Sequence, residues 1–148
     1  LIYNYFDEKQ VYQKLCASNN FDEEMDKIKD NMQYFLDQDT ILVNREEQRM
    51  KLREVELKFK DGLPEYPQLN FMIIIRCKLQ KRTNVIEFYM QEEEAPYNFQ
   101  IKWHFPHRSE IIKVETSLSF QVANNNIIMT AKKGDCVGGY EKIVFKIL

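Results

Sequence analysis

Tyr97-Asn98-Phe99-Gln100-Ile101-Lys102-Trp103-His104-Phe105 alternates large apolar side chains at its odd positions with polar ones between them. Successive side chains of a strand point to opposite faces, so this period of two predicts a strand with one buried and one wet face. Tyr, Phe and Trp each cover about 150–250 Å² when buried, so such a face can anchor a core. The only tryptophan of the chain, Trp103, sits in it and is predicted to be buried at the centre of a sheet.

The rest of the 148 residues extends the same pattern. Phe71, Ile73, Ile75, Cys77 and Leu79 form one face of a strand whose other face also carries Met72 and Ile74, as in a strand covered on both sides. A tight basic turn at Gln80–Thr83 predicts a hairpin leading to Ile86, Phe88 and Met90. Glu92-Glu93-Glu94-Ala95-Pro96 reads as a charged loop, and Pro106 ends the strand that follows it. Ile112, Val114, Thr116, Leu118, Phe120 and Val122 alternate along what reads as one long strand, closed by the Asn124–Asn126 turn. Ile127–Ala131 and Tyr140–Leu148 complete the set across a glycine-rich loop.

Upstream, Ile41–Asn44 reads as a short strand, Arg45–Gln48 as its turn, and Met50–Lys60 as a long partner. The apolar phase slips between Leu52 and Val55, which predicts a bulge near Arg53. Residues 1–39 read as helical. Asp7 and Gln10 stand at capping-box spacing before a short helix over 8–17. Phe21, Met25, Ile28, Met32 and Phe35 recur at helical spacing over a second helix of about 21–37, with Asn20 and Glu23 placed to cap it. The fold class expected is therefore α+β in one domain: two N-terminal helices, then a mostly antiparallel, sandwich-like body of seven to eight strands over 40–148.

Composition narrows the function classes. Charged residues make up 30% of the chain and the net charge is −2, without the basic footprint of a dedicated DNA binder. Residues 1–61 carry ten Lys or Arg against fourteen Asp or Glu, and residues 62–148 carry eleven against nine. Cys16, Cys77 and Cys136 are odd in number and widely spaced, which predicts free thiols in a reducing, cytoplasmic compartment. No apolar run is long enough to insert in a membrane, and no signal-peptide pattern occurs. The first residue is Leu1, as for a domain cut from a longer chain.

Leu63-Pro64-Glu65-Tyr66-Pro67, just before a strand, resembles the Tyr-Pro turn of RWD domains, modules that bind other proteins. The later proline of that pattern is missing and no C-terminal helix follows, so only the five residues are shared. Gly134-Asp135-Cys136-Val137-Gly138-Gly139 resembles the nucleophile loop of chymotrypsin-like proteases, including viral cysteine forms, and implies a cysteine hydrolase at Cys136. Val137 stands where that loop needs a glycine, and only one strand follows. Read from its residues alone, the segment is a glycine-rich loop with an incidental thiol. It also lacks the Lys-Ser/Thr ending of a phosphate loop, so no cofactor is implied. His104 and His107, with Glu92–Glu94 nearby in sequence, lack the paired ligands of structural zinc, so no metal is implied.

The expectation that remains is a non-enzymatic, intracellular protein-interaction or assembly module, with a small-ligand-binding sandwich or barrel as the alternative. Two partner surfaces are candidates. One is the helical stripe Phe21, Met25, Ile28, Met32 and Phe35. The other is the basic hairpin tip Arg76, Lys78, Lys81 and Arg82, on which a protein partner or self-association is favoured over nucleic acid.

Overall fold

In the computed structural model, which describes residues 1–148, two helices and eleven strands form two antiparallel sheets. In chain order the elements are β1 (Ile2–Asn4), α1 (Val11–Cys16), α2 (Phe21–Leu36), β2 (Thr40–Val43), β3 (Glu46–Gln48) and β4 (Met50–Phe59). They continue with β5 (Pro67–Ile75), β6 (Thr83–Glu94), β7 (Asn98–His104), β8 (Ser109–Glu115), β9 (Ser119–Ala123), β10 (Asn126–Ala131) and β11 (Cys136–Ile147). The six-stranded sheet runs β4-β5-β1-β7-β10-β9, and the five-stranded sheet runs β3-β2-β6-β11-β8. The expected α+β sandwich-like architecture is present.

Two extended stretches each serve both sheets. Residues 46–59 change sheet at Arg49, and residues 109–123 change sheet between Glu115 and Ser119. The long strand expected over 112–122 is therefore two strands, and the partner expected for β2 lies in the other sheet. Splits of this kind, and the short strands β1 and β3, account for eleven strands in place of seven or eight. The Gln80–Thr83 hairpin is also absent, because β5 and β6 belong to different sheets. Residues 76–82 are the link between them. Its bend is held by Asn84, fully buried, whose Oδ1 accepts the Gln80 N–H at 2.7 Å and an Asn44 side-chain N–H at 2.9 Å.

The core lies between the inner faces. Ile41, Val43, Ile86, Phe88, Ile143 and Phe145 of one sheet meet Phe99, Ile127, Met129 and Ala131 of the other. The smaller sheet leaves the β4–β5 half uncovered, and α2 covers it. Met25 packs there with Val55, Leu69 and Phe71, and Phe21, Ile28 and Met32 add partly buried contacts. A sheet face must bury its apolar side against some layer, and here the layer is half sheet and half helix. Asn20 makes no side-chain cap, and the expected cap at Asp7 is displaced: its Oδ2 accepts the Tyr12 N–H at 3.0 Å, so α1 starts at Val11.

The N-terminal residues are not helical. β1 lies between β5 and β7, pairing Tyr3 with Leu69 on one side and with Phe99 on the other. The bulge expected near Arg53 is present, since the β4–β5 register shifts between Leu52 and Glu54. The strand β5 is not covered on both sides, because Met72 on its outer face is exposed. Glu92–Glu94 continue β6 instead of forming a loop. Most of the glycine-rich segment is strand as well. β11 begins at Cys136 and bulges between Val137 and Gly139, where Gly138 has φ 92°. A Cβ on Gly138 would stand 2.1 Å from the Gln91 carbonyl oxygen, so only glycine fits.

Glu141 is the one charged side chain among the buried residues, 3% exposed on the inner phase of β11. Its Oε1 accepts the hydroxyl of Thr116, whose Oγ1 in turn accepts the Leu118 N–H at 3.1 Å. Burial pushes the carboxyl above its usual range, with the Thr116 hydrogen bond opposing the shift. A raised folded-state value means the protonated form suits the fold. Its contribution is thus present below the ordinary carboxylate range and lost as pH rises through the folded-state value. Glu141→Gln keeps the acceptor for Thr116 and removes the charge. It is expected to raise Tm at pH 8 and to lose that advantage at pH 4, as read by calorimetry at the two pH values.

Candidate functional site

Strand edges are where a sandwich exposes unpaired backbone N–H and C=O groups, and folded proteins ordinarily blunt them. Three of the four edges here are blunted. On β4, the Gln33 side chain takes the place of a neighbouring strand: its Oε1 accepts the Leu52 N–H at 2.8 Å and its Nε2 donates to the Met50 carbonyl at 3.0 Å. The Arg49–Asp37 ion pair, at 3.0 Å, ties the same corner to the end of α2. β3 has only three residues, two of them glutamates. β8 carries Glu110, Lys113 and Glu115, and its register with β11 shifts near Ile112.

β9 has none of these devices. Ser119-Phe120-Gln121-Val122-Ala123 contains no charge, proline or glycine, and it pairs with β10 over five consecutive residues without a register shift. All five residues are exposed. Phe120 stands opposite Met129 and Val122 opposite Ile127, both fully buried core residues. Cross-strand partners share a face. Phe120 and Val122 therefore point toward the inside of the sandwich, yet they are 44% and 47% exposed because nothing covers this margin.

At the Ala123 end of β9 the sheets part around an open cleft of about 550 Å³, lined in part by His107, Arg108, Ser109, Ile111, Val122 and Leu148. The Ser109 Oγ is buried there without a hydrogen-bond partner. Arg108 and Asn124, also on the lining, both adopt left-handed backbone, with φ of 65° and 55°. Asn125 fastens the two turns together, its Nδ2 donating to the Phe105 carbonyl at 2.6 Å.

The residues singled out in the sequence lie elsewhere. On α2, Met25 is buried and Phe21, Ile28 and Met32 are half-buried against the sheet, while Phe35 is 61% exposed beside Tyr34. Four of the five stripe residues are thus occupied by the domain itself. Arg76, Lys78, Lys81 and Arg82 are all exposed, but along the link between sheets, not at a hairpin tip.

The histidines and Cys136 are not brought together. Asn98, at the start of β7, bonds Lys133 near Cys136, whereas His104 ends the same strand six residues further on. At about 3.3 Å per residue that is roughly 20 Å. His104 is engaged with Asn126 through Nδ1 at 2.7 Å. Glu92–Glu94 lie at the Cys136 end too, opposite Cys136 and Val137, so they do not meet the histidines. No group of three His, Cys, Asp or Glu side chains converges to hold a metal ion.

Two features escaped the sequence reading. One is Glu141. The other is a ring cluster in which Tyr5 and Tyr97 approach to 4.5 Å, Tyr12 stacks on Tyr5 at 5.8 Å, and Tyr3 joins from β1. Burial raises the Tyr3 hydroxyl, with Glu93 and Asp39 adding to the shift, and burial followed by Glu93 raises the Asp39 carboxyl. The signal for it was four tyrosines scattered over 95 residues, which only the insertion of β1 assembles. No helix is long and apolar enough to cross a membrane. Comparison with family models, with curated proteins and with solved structures gives no match to this chain.

Proposed function

We propose that this chain is a non-enzymatic protein-interaction or assembly module that receives an extended strand along β9. The observation that carries the reading is the contrast between β9, unbulged and uncharged, and three edges that are each capped, short, or charged and bulged. Strand addition draws affinity from backbone hydrogen bonds and selectivity from alternate side chains. Here the inner-facing Phe120 and Val122 would select apolar residues two apart in the arriving strand. A cytoplasmic location fits the three free thiols, two of them exposed.

Selection from a displayed peptide library reads this directly. Peptides with apolar residues at alternate positions are expected to enrich on the native protein and to lose binding to Val122→Lys, which places a charge on the margin. Failure to enrich such sequences, or binding unchanged by Val122→Lys, would reject β9 as the receptor. The open cleft with its unpartnered Ser109 hydroxyl favours a second reading, a small-ligand-binding sandwich. A thermal-shift screen with sugars, lipids and nucleotides tests it.

A further inference from the structure

We infer that the strand β9 receives is β9 of a second copy of this chain, joined antiparallel about a two-fold axis through Gln121. The inference rests on the proposed strand-addition reading and names its partner. With Gln121 facing Gln121 of the second copy, Phe120 of each chain falls opposite Val122 of the other, and Ser119 falls opposite Ala123. A two-fold interface requires the same patch to match itself, with each contact occurring twice. This five-residue strand does so, pairing one large ring with one branched side chain on each side of the axis.

Charge points the same way. About such an axis only a residue on it meets its own copy, and a charge off the axis meets whatever residue the register sets opposite it. β9 has no charge to leave unpaired. The β8 edge, turned about Ile112 in the same way, would set Glu110, Lys113 and Glu115 opposite Val114, Ile111 and Ser109, each charge without a partner. The inner-facing Phe120 and Val122, half-exposed in one copy, acquire neighbours on the same face from the other. The six-stranded sheet becomes one of twelve.

Cross-linking tests the register and sedimentation tests the assembly. In a Cys16→Ser, Cys136→Ser background, Gln121→Cys places two thiols directly opposite each other on the outer face. Cβ atoms so placed are about 5 Å apart, and a short bismaleimide is expected to give a covalent dimer. Ser119→Cys in the same background places its thiols four residues apart, roughly 13 Å along the strand, and is expected to remain uncross-linked. Sedimentation of the native chain should show a concentration-dependent dimer. Val122→Lys, kept only if it still melts cooperatively, should weaken it by roughly a hundredfold or more.

A native chain that is monomeric throughout, or a dimer indifferent to Val122→Lys, overturns the inference. So does cross-linking that is equal at positions 119 and 121. If the chain is monomeric while selected peptides still need Val122, only the second copy is wrong and strand addition stands. If neither assembly nor peptide binding depends on Val122, both fall.

Discussion

A chain lacking residues 1–6 is expected to lose its cooperative melt, although it retains both helices and ten of the eleven strands. β1 has only three residues, but it is an interior strand. Ile2, Tyr3 and Asn4 pair with Asn70, Leu69 and Gln68 on one side and with Gln100, Phe99 and Asn98 on the other. The Leu1 carbonyl accepts the Phe71 N–H at 2.8 Å, and the Tyr5 N–H donates to the Pro67 carbonyl at 3.1 Å. Removing the segment leaves two facing sheet edges unpaired in the middle of the molecule, and an unsatisfied buried backbone group costs about 1–3 kcal/mol. Tyr3 also belongs to both apolar clusters, so its loss separates the layer under α2 from the main core. Net stabilities of domains are about 5–15 kcal/mol, which a loss on this scale consumes. Circular dichroism melts of residues 7–148 beside the full chain decide the matter. A sharp transition in the shortened chain would mean that β5 and β7 close on each other directly.

Phe145→Ala is expected to cost about 3–5 kcal/mol, the usual range for deleting a fully buried ring, and to cost more than Trp103→Ala. Phe145 is 1% exposed on the smaller sheet's inner face, and its ring lies 4.8 Å from that of Phe105. Little around it is free to collapse into the gap. Trp103 is only half-buried, because β1 stops opposite Gln100 and the end of β7 has β10 alone as a neighbour. The buried place expected for the tryptophan thus belongs to Phe145. Trp103 stacks on Phe105 and meets Phe88 edge-on, but its Nε1 is buried without an acceptor, a penalty that truncation removes. Denaturant titration of the two variants measures both costs on one scale. A larger cost at Trp103 would place the centre of the core in the six-stranded sheet.

Periodicity in the residues encodes what happens within one element. The odd positions of 97–105 do form an inner face, α2 does turn Met25 and its neighbours onto the sheet, and the phase slip after Leu52 does mark a bulge. These patterns repeat over two to four residues, so local residues suffice to read them. Tertiary structure alone decided where each strand went. An alternating stretch keeps its alternation whichever sheet it joins, which is why 112–122 read as one strand and Met50–Lys60 as the partner of 41–44. β1 is too short to carry a period, and its neighbours stand more than sixty residues away. The candidate site was hidden for the same reason. Phe120 and Val122 read as part of one long strand's apolar face because they are apolar and in phase, and they do point inward. Whether an inward side chain is buried depends on the facing layer, and beside β9 that layer ends.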